Sequence, residues 1–305
     1  MLLEQLETIF DRCKAAIDRR TNYALLKRKF ERTLGYPLDL ENPKTFNEKV
    51  QWRKLNVRNP DYTRILDKLE MPGFVMELIG AEHCDNLFTE KFAHTNDPTT
   101  LDFDALPPDF MLKPTHGSGW IKPVRSGDPR DNRALRKTCN RWLARQFGHR
   151  NHEWGYLDIK PRVMVEELLL AEQGNLAGDI KMHVSNGELR HTFCVIDRHD
   201  KDIHIHVNSD WEKINDVDPE PSQSPVFGWE RMKDISLRIG RHFDYVRVDF
   251  LSTETRFALN ELTIYPGSGL NQFYKEQAIN QAFDAQLGET WTPTVDGLRA
   301  NTSDP

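Results

Sequence analysis

The chain has 305 residues, of which 38% are hydrophobic and 29% charged, and its formal net charge is −6. It is long enough for one large domain or two fused ones, and it lacks the basic excess of a nucleic-acid-binding protein. It also lacks a run of about 18 apolar residues and a signal-peptide pattern, so we expect no membrane span and a cytoplasmic location. The four cysteines are far apart and unpaired in spacing, which favours reduced thiols.

Apolar periodicity predicts mainly helices in the first part of the chain and a mixture of strands and helices after it. Thr45 and Glu48 have the spacing of a capping box, which predicts a helix through Leu55. Asn186-Gly187 is a strong hairpin turn signal. Other predicted helices are two within 1–35 and those at 133–147, about 228–243 and 273–287; predicted strands are 110–113, 162–170, 181–184, 188–196 and 203–207.

The last hairpin carries polar residues at strand spacing. A period of two places Arg247 and Asp249 on one face of the first strand, and Glu261 and Thr263 on one face of the second. A hairpin can therefore bring two carboxylates together, which is costly unless a cation lies between them. Carboxylate oxygens suit Mg²⁺, which usually takes one or two of them plus phosphate oxygens. A surface hairpin with ordinary charges is the alternative.

A second candidate site is the end of the predicted strand at 110–113. The strand ends in Lys113, and Gly117, Ser118 and Gly119 follow in a short loop. Backbone N–H groups of such a loop can bind phosphates, with the lysine supplying positive charge. The loop lacks the Lys-Ser or Lys-Thr pair of a Walker A motif, and a flexible turn is the alternative reading.

Three further charged pairs lie on predicted strands. Glu166-Glu167 interrupts an apolar strand and needs partners, either the exocyclic amine of a base or a neighbouring lysine. Asp179 and Lys181 share a strand face, which fits a phosphate contact or a solvated sheet edge. His204 and His206 also share a face, but no third ligand has an obvious spacing, so a metal site there is not favoured.

The order of these parts resembles the ATP-grasp superfamily, in which two subdomains clamp ATP. The hairpin is similar to the metal-binding motifs of D-alanine–D-alanine ligases, except that Thr263 stands where Asn is usual; the pleat predicts that adjacent Asn260 points to the other face. A closer resemblance, over roughly 40–290, is to TupA-like ATP-grasp proteins, in which Thr is usual at this position. Its motifs are 42–52, Asp67-Lys68, Leu112-Lys113, 116–120, Trp154, Tyr156, 159–162 and 261–269.

The resemblance implies an α+β ATP-grasp fold that binds ATP and Mg²⁺. We expect three divisions of the chain: an N-terminal helical region at 1–60, a TupA-like ATP-grasp domain at 61–290 with a lid subdomain at about 110–168, and a mobile tail at 291–305. A homodimer is a common state for such enzymes.

The resemblance also implies residue roles. Lys181 would contact the γ-phosphate and Arg247 would stabilise the transferred phosphoryl group. The implied Mg²⁺ ligands are Asp249, Glu261 and Thr263. The implied ATP-binding residues are Lys68, Lys113, Gly117, Ser118, Gly119, Glu166, Glu167, Leu169 and Leu259, with Phe257 as an alternative to Leu259 beneath adenine. The implied substrate-binding residues are Ser268, Gly269, Trp154 and Tyr156.

The activity implied by this resemblance is ATP-dependent ligation of a carboxylate to an amine through an acyl phosphate. The substrates would be a uronic-acid or amino-acid carboxylate and an amine in polysaccharide biosynthesis. Two alternatives are a kinase that phosphorylates a sugar and a nucleotide-binding module of a polysaccharide assembly complex without turnover.

Overall fold

A computed structural model of the chain describes residues 2–172, 174–196 and 203–299. It contains α-helices and two antiparallel sheets, which confirms the predicted α+β class. In the described ranges the α-helices are α1 (Leu2–Arg20), α2 (Ala24–Leu34), α3 (Phe46–Asn56), α4 (Asp61–Leu66), α5 (Met71–Ile79), α6 (Asn132–Leu143), α7 (Trp229–Gly240) and α8 (Gln277–Glu289).

The strands form a smaller and a larger sheet. The smaller sheet has the order β1-β4-β2-β3, and the larger has the order β7-β6-β5-β8-β9. All pairings within both sheets are antiparallel. The strands are β1 (Lys91–Thr95), β2 (Phe110–Pro114), β3 (Lys122–Val124), β4 (Val163–Glu166), β5 (Gly178–Ser185), β6 (Glu188–Ile196), β7 (Ile203–Val207), β8 (Tyr245–Ser252) and β9 (Phe257–Thr263).

Local sequence signals explain several boundaries. The capping box at the start of α3 is confirmed, because the Thr45 side chain accepts a hydrogen bond from the Glu48 backbone and the Glu48 side chain accepts one from the Thr45 N–H. The turn between β5 and β6 is formed by Asn186 and Gly187, both with positive φ. That conformation is the one a two-residue hairpin loop requires.

Two apolar cores hold the sheets in place. The main core packs the larger sheet against α3, α5, α7 and α8, and a separate core packs α6 against the smaller sheet. Among the described helices, none combines the length and apolar character of a bilayer-crossing segment. The division into regions at 60 and 61, and the lid at about 110–168, stay predictions.

The predicted mobile tail does not agree with the packing of residues 291–299. Trp291 is fully buried, and the guanidinium of Arg53 lies 4.5 Å from the centre of its ring. The Thr294 backbone N–H donates to Asp244 Oδ2 at 2.7 Å, and Asp244 also pairs with Arg53. An aromatic side chain in the core therefore anchors this segment, while residues 300–305 lie outside the described ranges.

Candidate functional site

The centre of the candidate site is a row of charged residues across three neighbouring strands. Lys181 on β5 is the cross-strand partner of Asp249 on β8, which is in turn the partner of Glu261 on β9. Directly opposed residues on a sheet project from the same face at short range. Two residues along β8 and β9, on the same face, Arg247 is the cross-strand partner of Thr263. The spacing read from the sequence therefore corresponds to real proximity in the fold.

Arg247 connects the two carboxylates. Its Nε and Nη2 donate to Asp249 Oδ1 and Oδ2 at 2.7 and 2.5 Å, and its Nη2 lies 3.9 Å from Glu261 Oε1. The same Nη2 donates to Thr263 Oγ1 at 3.2 Å, and that hydroxyl lies 3.3 Å from Asp249 Oδ2. One guanidinium is thus shared by two acidic side chains and a hydroxyl.

The two carboxyl groups differ in their electrostatic environment. Burial raises the pKa of Asp249 to about 6, although Arg247 acts in the opposite direction. Burial also acts to raise the pKa of Glu261, but Lys68, Arg247 and Lys113 outweigh it and lower that pKa to about 2. A further cation nearby would therefore stabilise the charged form of Asp249 more than that of Glu261.

The oxygen atoms at this site fit Mg²⁺, which keeps water and phosphate oxygens among its ligands, better than a metal ion whose ligands all come from the protein. Within residues 2–172, 174–196 and 203–299, no group of three or more His, Cys, Asp and Glu side chains is arranged to hold a metal ion. Mg²⁺ usually binds one or two carboxylates and completes its coordination with water and phosphate oxygens. Asp249 and Glu261 are two such carboxylates on adjacent strands, and the Thr263 hydroxyl lies beside them.

Two lysines reach this region from outside the larger sheet. Lys68 follows α4; its Nζ donates to the Gly117 carbonyl at 2.7 Å and lies 3.5 Å from Glu261 Oε2. Lys113 on β2 forms a buried ion pair with Glu166. Burial lowers the pKa of Lys68, although Glu261 acts to raise it. The lysines thus link the Gly-containing loop and the smaller sheet to β9.

Asn260 differs from its predicted orientation. The register of β8 with β9 shifts between the pairs Asp249–Glu261 and Phe250–Leu259, which leaves Asn260 as the extra residue of a β-bulge. A bulge interrupts the strict alternation of side chains. Asn260 Oδ1 consequently accepts a hydrogen bond from Lys113 Nζ at 3.1 Å. The bulge brings Asn260 into the site, which period-two reasoning missed.

The Glu166-Glu167 pair has protein partners. Glu166 pairs with Lys113 and also accepts a hydrogen bond from Thr89 Oγ1 at 3.0 Å, which corresponds to the lysine alternative rather than to a free hinge carboxylate. Glu167 pairs with Arg256, and its backbone N–H donates to the Glu90 carbonyl at 2.8 Å. A role for Glu166 at an adenine amino group stays a prediction and would require it to share or leave Lys113.

The two predicted apolar contacts to adenine lie in different clusters. Leu259 and Phe257 both belong to the main core, where they are 2% and 7% exposed. Leu169 packs with Ala177 and Ala258 in a small separate cluster. Leu169, Leu259 and the alternative Phe257 are all buried, so contact with a base stays a prediction.

The Gly-containing loop is shaped by an aromatic ring. A Cβ atom at Gly117 would lie 2.8 Å from the Trp120 ring, so only glycine fits there without a shift. Ser118 and Gly119 are exposed, and Gly119 has a φ of +71°. The loop therefore presents its backbone to solvent next to Lys68, and its phosphate-binding role stays a prediction.

The predicted substrate residues divide into two kinds. Ser268 and Gly269 lie in a loop directly after β9, and Gly267, Ser268 and Gly269 all have positive φ. Trp154 stacks on Tyr62 with ring centres 5.9 Å apart, so one of its faces is already used in packing. A strained loop at the end of β9 is a better candidate for ligand contact than a packed indole.

Tyr156 is also a packed residue. Its ring contacts Phe147 with centres 4.7 Å apart, and Phe147 contacts Trp120 of the Gly-containing loop. Burial raises the pKa of the Tyr156 hydroxyl well above its usual value, so the phenol stays neutral. Tyr156 thus packs against the Gly-containing loop indirectly, through Phe147 and Trp120.

Lys54 and Glu153 were not predicted from the sequence. Lys54 Nζ donates to the Ser268 carbonyl at 2.8 Å and lies 3.2 Å from Ser268 Oγ. Burial lowers the pKa of Lys54 to about 7 and raises that of Glu153. Lys54 falls on an apparently ordinary helix, α3, and only the fold brings it to the strained loop.

A groove of about 590 Å³ opens beside the charged row. It begins at Phe193, the cross-strand partner of Lys181, whose Nζ lies 5.9 Å from the centre of the Phe193 ring. His206 is buried at its base and His204 is exposed at its edge. Its lining includes Phe193, His204, His206, Asp218, Tyr274 and Lys275.

The two antiparallel sheets, the lysines between them and the paired carboxylates are the parts of an ATP-grasp protein. The model of the TupA-like ATP-grasp family matches residues 48–292, and the chain belongs to that family. No curated protein matches the sequence significantly.

Several solved structures share a distant likeness. The ATP-grasp ligase PsnB complexed with a phosphomimetic variant of minimal precursor, Mg and ADP is 14% identical over 74% of this chain and 60% of that chain, with a TM-score of 0.39. D-alanine–D-alanine ligase from Bacillus anthracis complexed with ATP is 14% identical over 77% and 62%, with a TM-score of 0.41. A RiPP-associated ATP-grasp ligase from Chryseobacterium gregarium in complex with ADP, and a leader and core peptide, is 17% identical over 79% and 64%, with a TM-score of 0.39. The chain spans less than two thirds of the length of each.

Proposed function

We propose that the protein is an ATP- and Mg²⁺-dependent ligase that joins a carboxylate to an amine. The observation that carries this proposal is the row Lys181, Asp249 and Glu261 across β5, β8 and β9, with Nζ of Lys68, which follows α4, 3.5 Å from Glu261 Oε2. Such a row provides both signs of charge for a transferring phosphoryl group. Membership of the ATP-grasp family supports the same assignment.

ATP would lie between the two sheets. Lys68 and Lys113 would exchange their present partners, Glu261 and Glu166, for phosphate oxygens, and the exposed backbone of Ser118 and Gly119 would cover the phosphates. The backbone and side chains around Glu166, Glu167, Leu169 and Leu259 would hold the base.

Asp249 and Glu261, with Thr263, would hold Mg²⁺. When bound, the ion neutralises charge on the phosphate oxygens. Arg247 already bridges both carboxylates, so it would keep them oriented and face the transferred group. Lys181, directly opposite Asp249, would bind the γ-phosphate.

The proposed reaction has two balanced steps. A substrate carboxylate oxygen attacks the γ-phosphorus, the bond from that phosphorus to the β–γ bridging oxygen breaks, and ADP leaves with the bond's electron pair. The amine nitrogen then attacks the carbonyl carbon of the acyl phosphate. Inorganic phosphate departs, the nitrogen releases a proton to solvent, and an amide remains.

For the substrates we propose a uronic-acid or amino-acid carboxylate and an amine in the biosynthesis of a polysaccharide, in the cytoplasm. The groove next to Lys181 supports a polar, ring-shaped substrate, since it combines aromatic surfaces with charged groups. Its Asp218 carboxylate is held in place by the Tyr274 hydroxyl at 2.8 Å. The loop at Ser268 and Gly269 would contact the other substrate.

The test is a matrix of uronates and amino acids incubated with the protein, ATP and Mg²⁺, scored for ADP, phosphate and product mass. The proposal expects one pair to give equal amounts of ADP, phosphate and amide. With the carboxylate alone, hydroxylamine should trap the acyl phosphate as a hydroxamate. A stable phosphorylated sugar without phosphate release would instead identify a kinase, and ATP binding without turnover for any pair would identify a binding module.

A further inference from the structure

Helix α1 presents its apolar side to solvent. Leu3 is 65% exposed, Leu6 53%, Phe10 65% and Ile17 56%, and Cys13 between them is exposed as well. A contiguous apolar surface of this kind is uncommon on a monomer unless it binds something. Ile9 extends the same surface at 57% exposed.

Polar contacts fix this orientation of the helix. The buried Asp18 accepts a hydrogen bond from the Leu25 backbone N–H at 2.7 Å, and its other oxygen lies 2.9 Å from His152 Nε2. Thr8 Oγ1 accepts a hydrogen bond from the Gln146 backbone N–H at 3.2 Å. The helix therefore attaches to the body through its polar side, and rotating it to bury the apolar side would break these bonds.

The exposed apolar residues follow a coiled-coil seam. Leu3, Leu6, Phe10, Cys13 and Ile17 are separated alternately by three and four residues. That spacing defines the a and d positions of a heptad, which pack against a facing helix. The seam extends along nearly the whole of α1.

We propose that α1 pairs with α1 of a second copy of this chain in an antiparallel, two-fold symmetric contact. Leu6 would then lie against Ile17 of the other copy, and Phe10 against its Cys13. Each residue of a two-fold contact is used twice, so one stripe is sufficient for both copies. Pairing the two stripes would bury on the order of 1,000 Å² in total, about the minimum for a specific interface.

The charges of α1 favour the antiparallel direction. Acidic Glu7, which also pairs with Arg145 of its own chain at the surface, lies in the first half, and the exposed basic residues Lys14, Arg19 and Arg20 lie in the second half. An antiparallel pair brings opposite charges together and also opposes the helix dipoles. A parallel pair would place the basic ends side by side. A membrane surface is less well matched, because exposed acidic Glu7 also flanks the stripe, whereas membrane-surface helices are rich in Lys and Arg.

The first test is the mass of the full chain in solution, measured by light scattering over a dilution series. We expect twice the mass of one chain, and in the Leu6→Glu/Ile17→Glu variant a dissociation constant raised by about 30-fold or more. Val295→Glu, a change at an exposed apolar residue elsewhere, is the matched control and should leave the dimer intact. A single cooperative thermal unfolding transition shows that the double variant is folded.

A second test fixes the direction of the helices. Cys84, Cys139 and Cys194 are buried, so Cys13 is the accessible thiol of the described residues. On mild oxidation, Phe10→Cys should form a crosslinked dimer through Cys13 of the other copy, and Phe10→Cys/Cys13→Ser should not. Crosslinking of both variants would overturn the antiparallel arrangement.

The proposal fails if the chain is monomeric at every concentration, or if the Leu6→Glu/Ile17→Glu variant dimerises as well as the natural chain. It also fails if the natural chain is monomeric and α1 instead directs it to anionic vesicles. Each result is independent of ATP turnover, so it leaves the proposed ligase function as it stands.

Discussion

The two sheets both contribute charged residues to the candidate site, but they neutralise them differently. In the smaller sheet, Lys113 and Glu166 form a one-to-one buried pair, with side chains 6% and 5% exposed. In the larger sheet, Asp249 and Glu261 share the single guanidinium of Arg247. The smaller sheet thus places one lysine on one carboxylate, whereas the larger sheet places two carboxylates on one guanidinium and receives a further cation, Lys68, from outside.

This difference suggests that the two sheets bind different parts of the ATP–Mg²⁺ complex. A complete ion pair holds a side chain in place until a competing anion arrives. Two neighbouring carboxylates instead favour binding of a divalent cation. The smaller sheet would then respond to nucleotide phosphates and the larger sheet to the metal, and each expectation can be tested by removing charges from one sheet at a time.

The largest effect is expected in the smaller sheet. Lys113→Met leaves Glu166 buried without its ion-pair partner, though Lys91 lies on the opposing strand, so we expect the free energy of unfolding to fall by about 3 kcal/mol. Chemical denaturation measures this. Lys113→Met/Glu166→Leu should recover most of the stability while nucleotide binding stays weak. A double variant as unstable as the single one would refute a self-neutralised pair.

A smaller effect is expected in the larger sheet. Asp249→Asn keeps the shape of the side chain but removes one of the two charges proposed to hold Mg²⁺. We expect ADP formation to fall about a hundredfold, or about 2.7 kcal/mol, and to recover in part as Mg²⁺ is raised. Asp234→Asn, an exposed helix residue paired with Arg238, is the control and should be unaffected. Equal loss at all Mg²⁺ concentrations would argue against a metal ligand.

The smallest effect is expected at Thr263. Thr263→Val removes a hydroxyl that accepts from Arg247 at 3.2 Å and lies 3.3 Å from Asp249. The loss of one such contact corresponds to about 1 kcal/mol, so the Mg²⁺ concentration for half-maximal ADP formation should rise about fivefold. A change as large as that of Asp249→Asn would mean that the hydroxyl binds the ion as strongly as the carboxylate does, rather than as a weak third ligand.

Much of this site could be predicted because strand periodicity is regular. Arg247 with Asp249, and Glu261 with Thr263, each required only that alternate residues share a face. The capping box at Thr45 and the turn at Asn186-Gly187 are equally local and were also predicted correctly. Local chemistry of this kind needs no knowledge of which element packs against which.

What could not be predicted depended on tertiary contacts. The β-bulge that redirects Asn260 has no signal in the hairpin sequence, and the partner of Glu166 lies on a different strand. Heptad spacing predicts that α1 is a helix but not which side faces the body. The side was decided by distant residues such as His152 and Gln146.

Burial of Arg53 has a practical consequence for shortening the chain. Its guanidinium donates to the carbonyls of Tyr245 and Ile264 at 3.0 and 3.2 Å, in strand β8 and just after β9, and it stacks on Trp291. The family match ends at residue 292, before Thr294 closes the contact to Asp244. A protein that ends at residue 292 would therefore lose the hydrogen bonds from Thr294 to Asp244, the carboxylate that pairs with buried Arg53 behind β8 and β9. Deletion series should instead stop beyond Leu298.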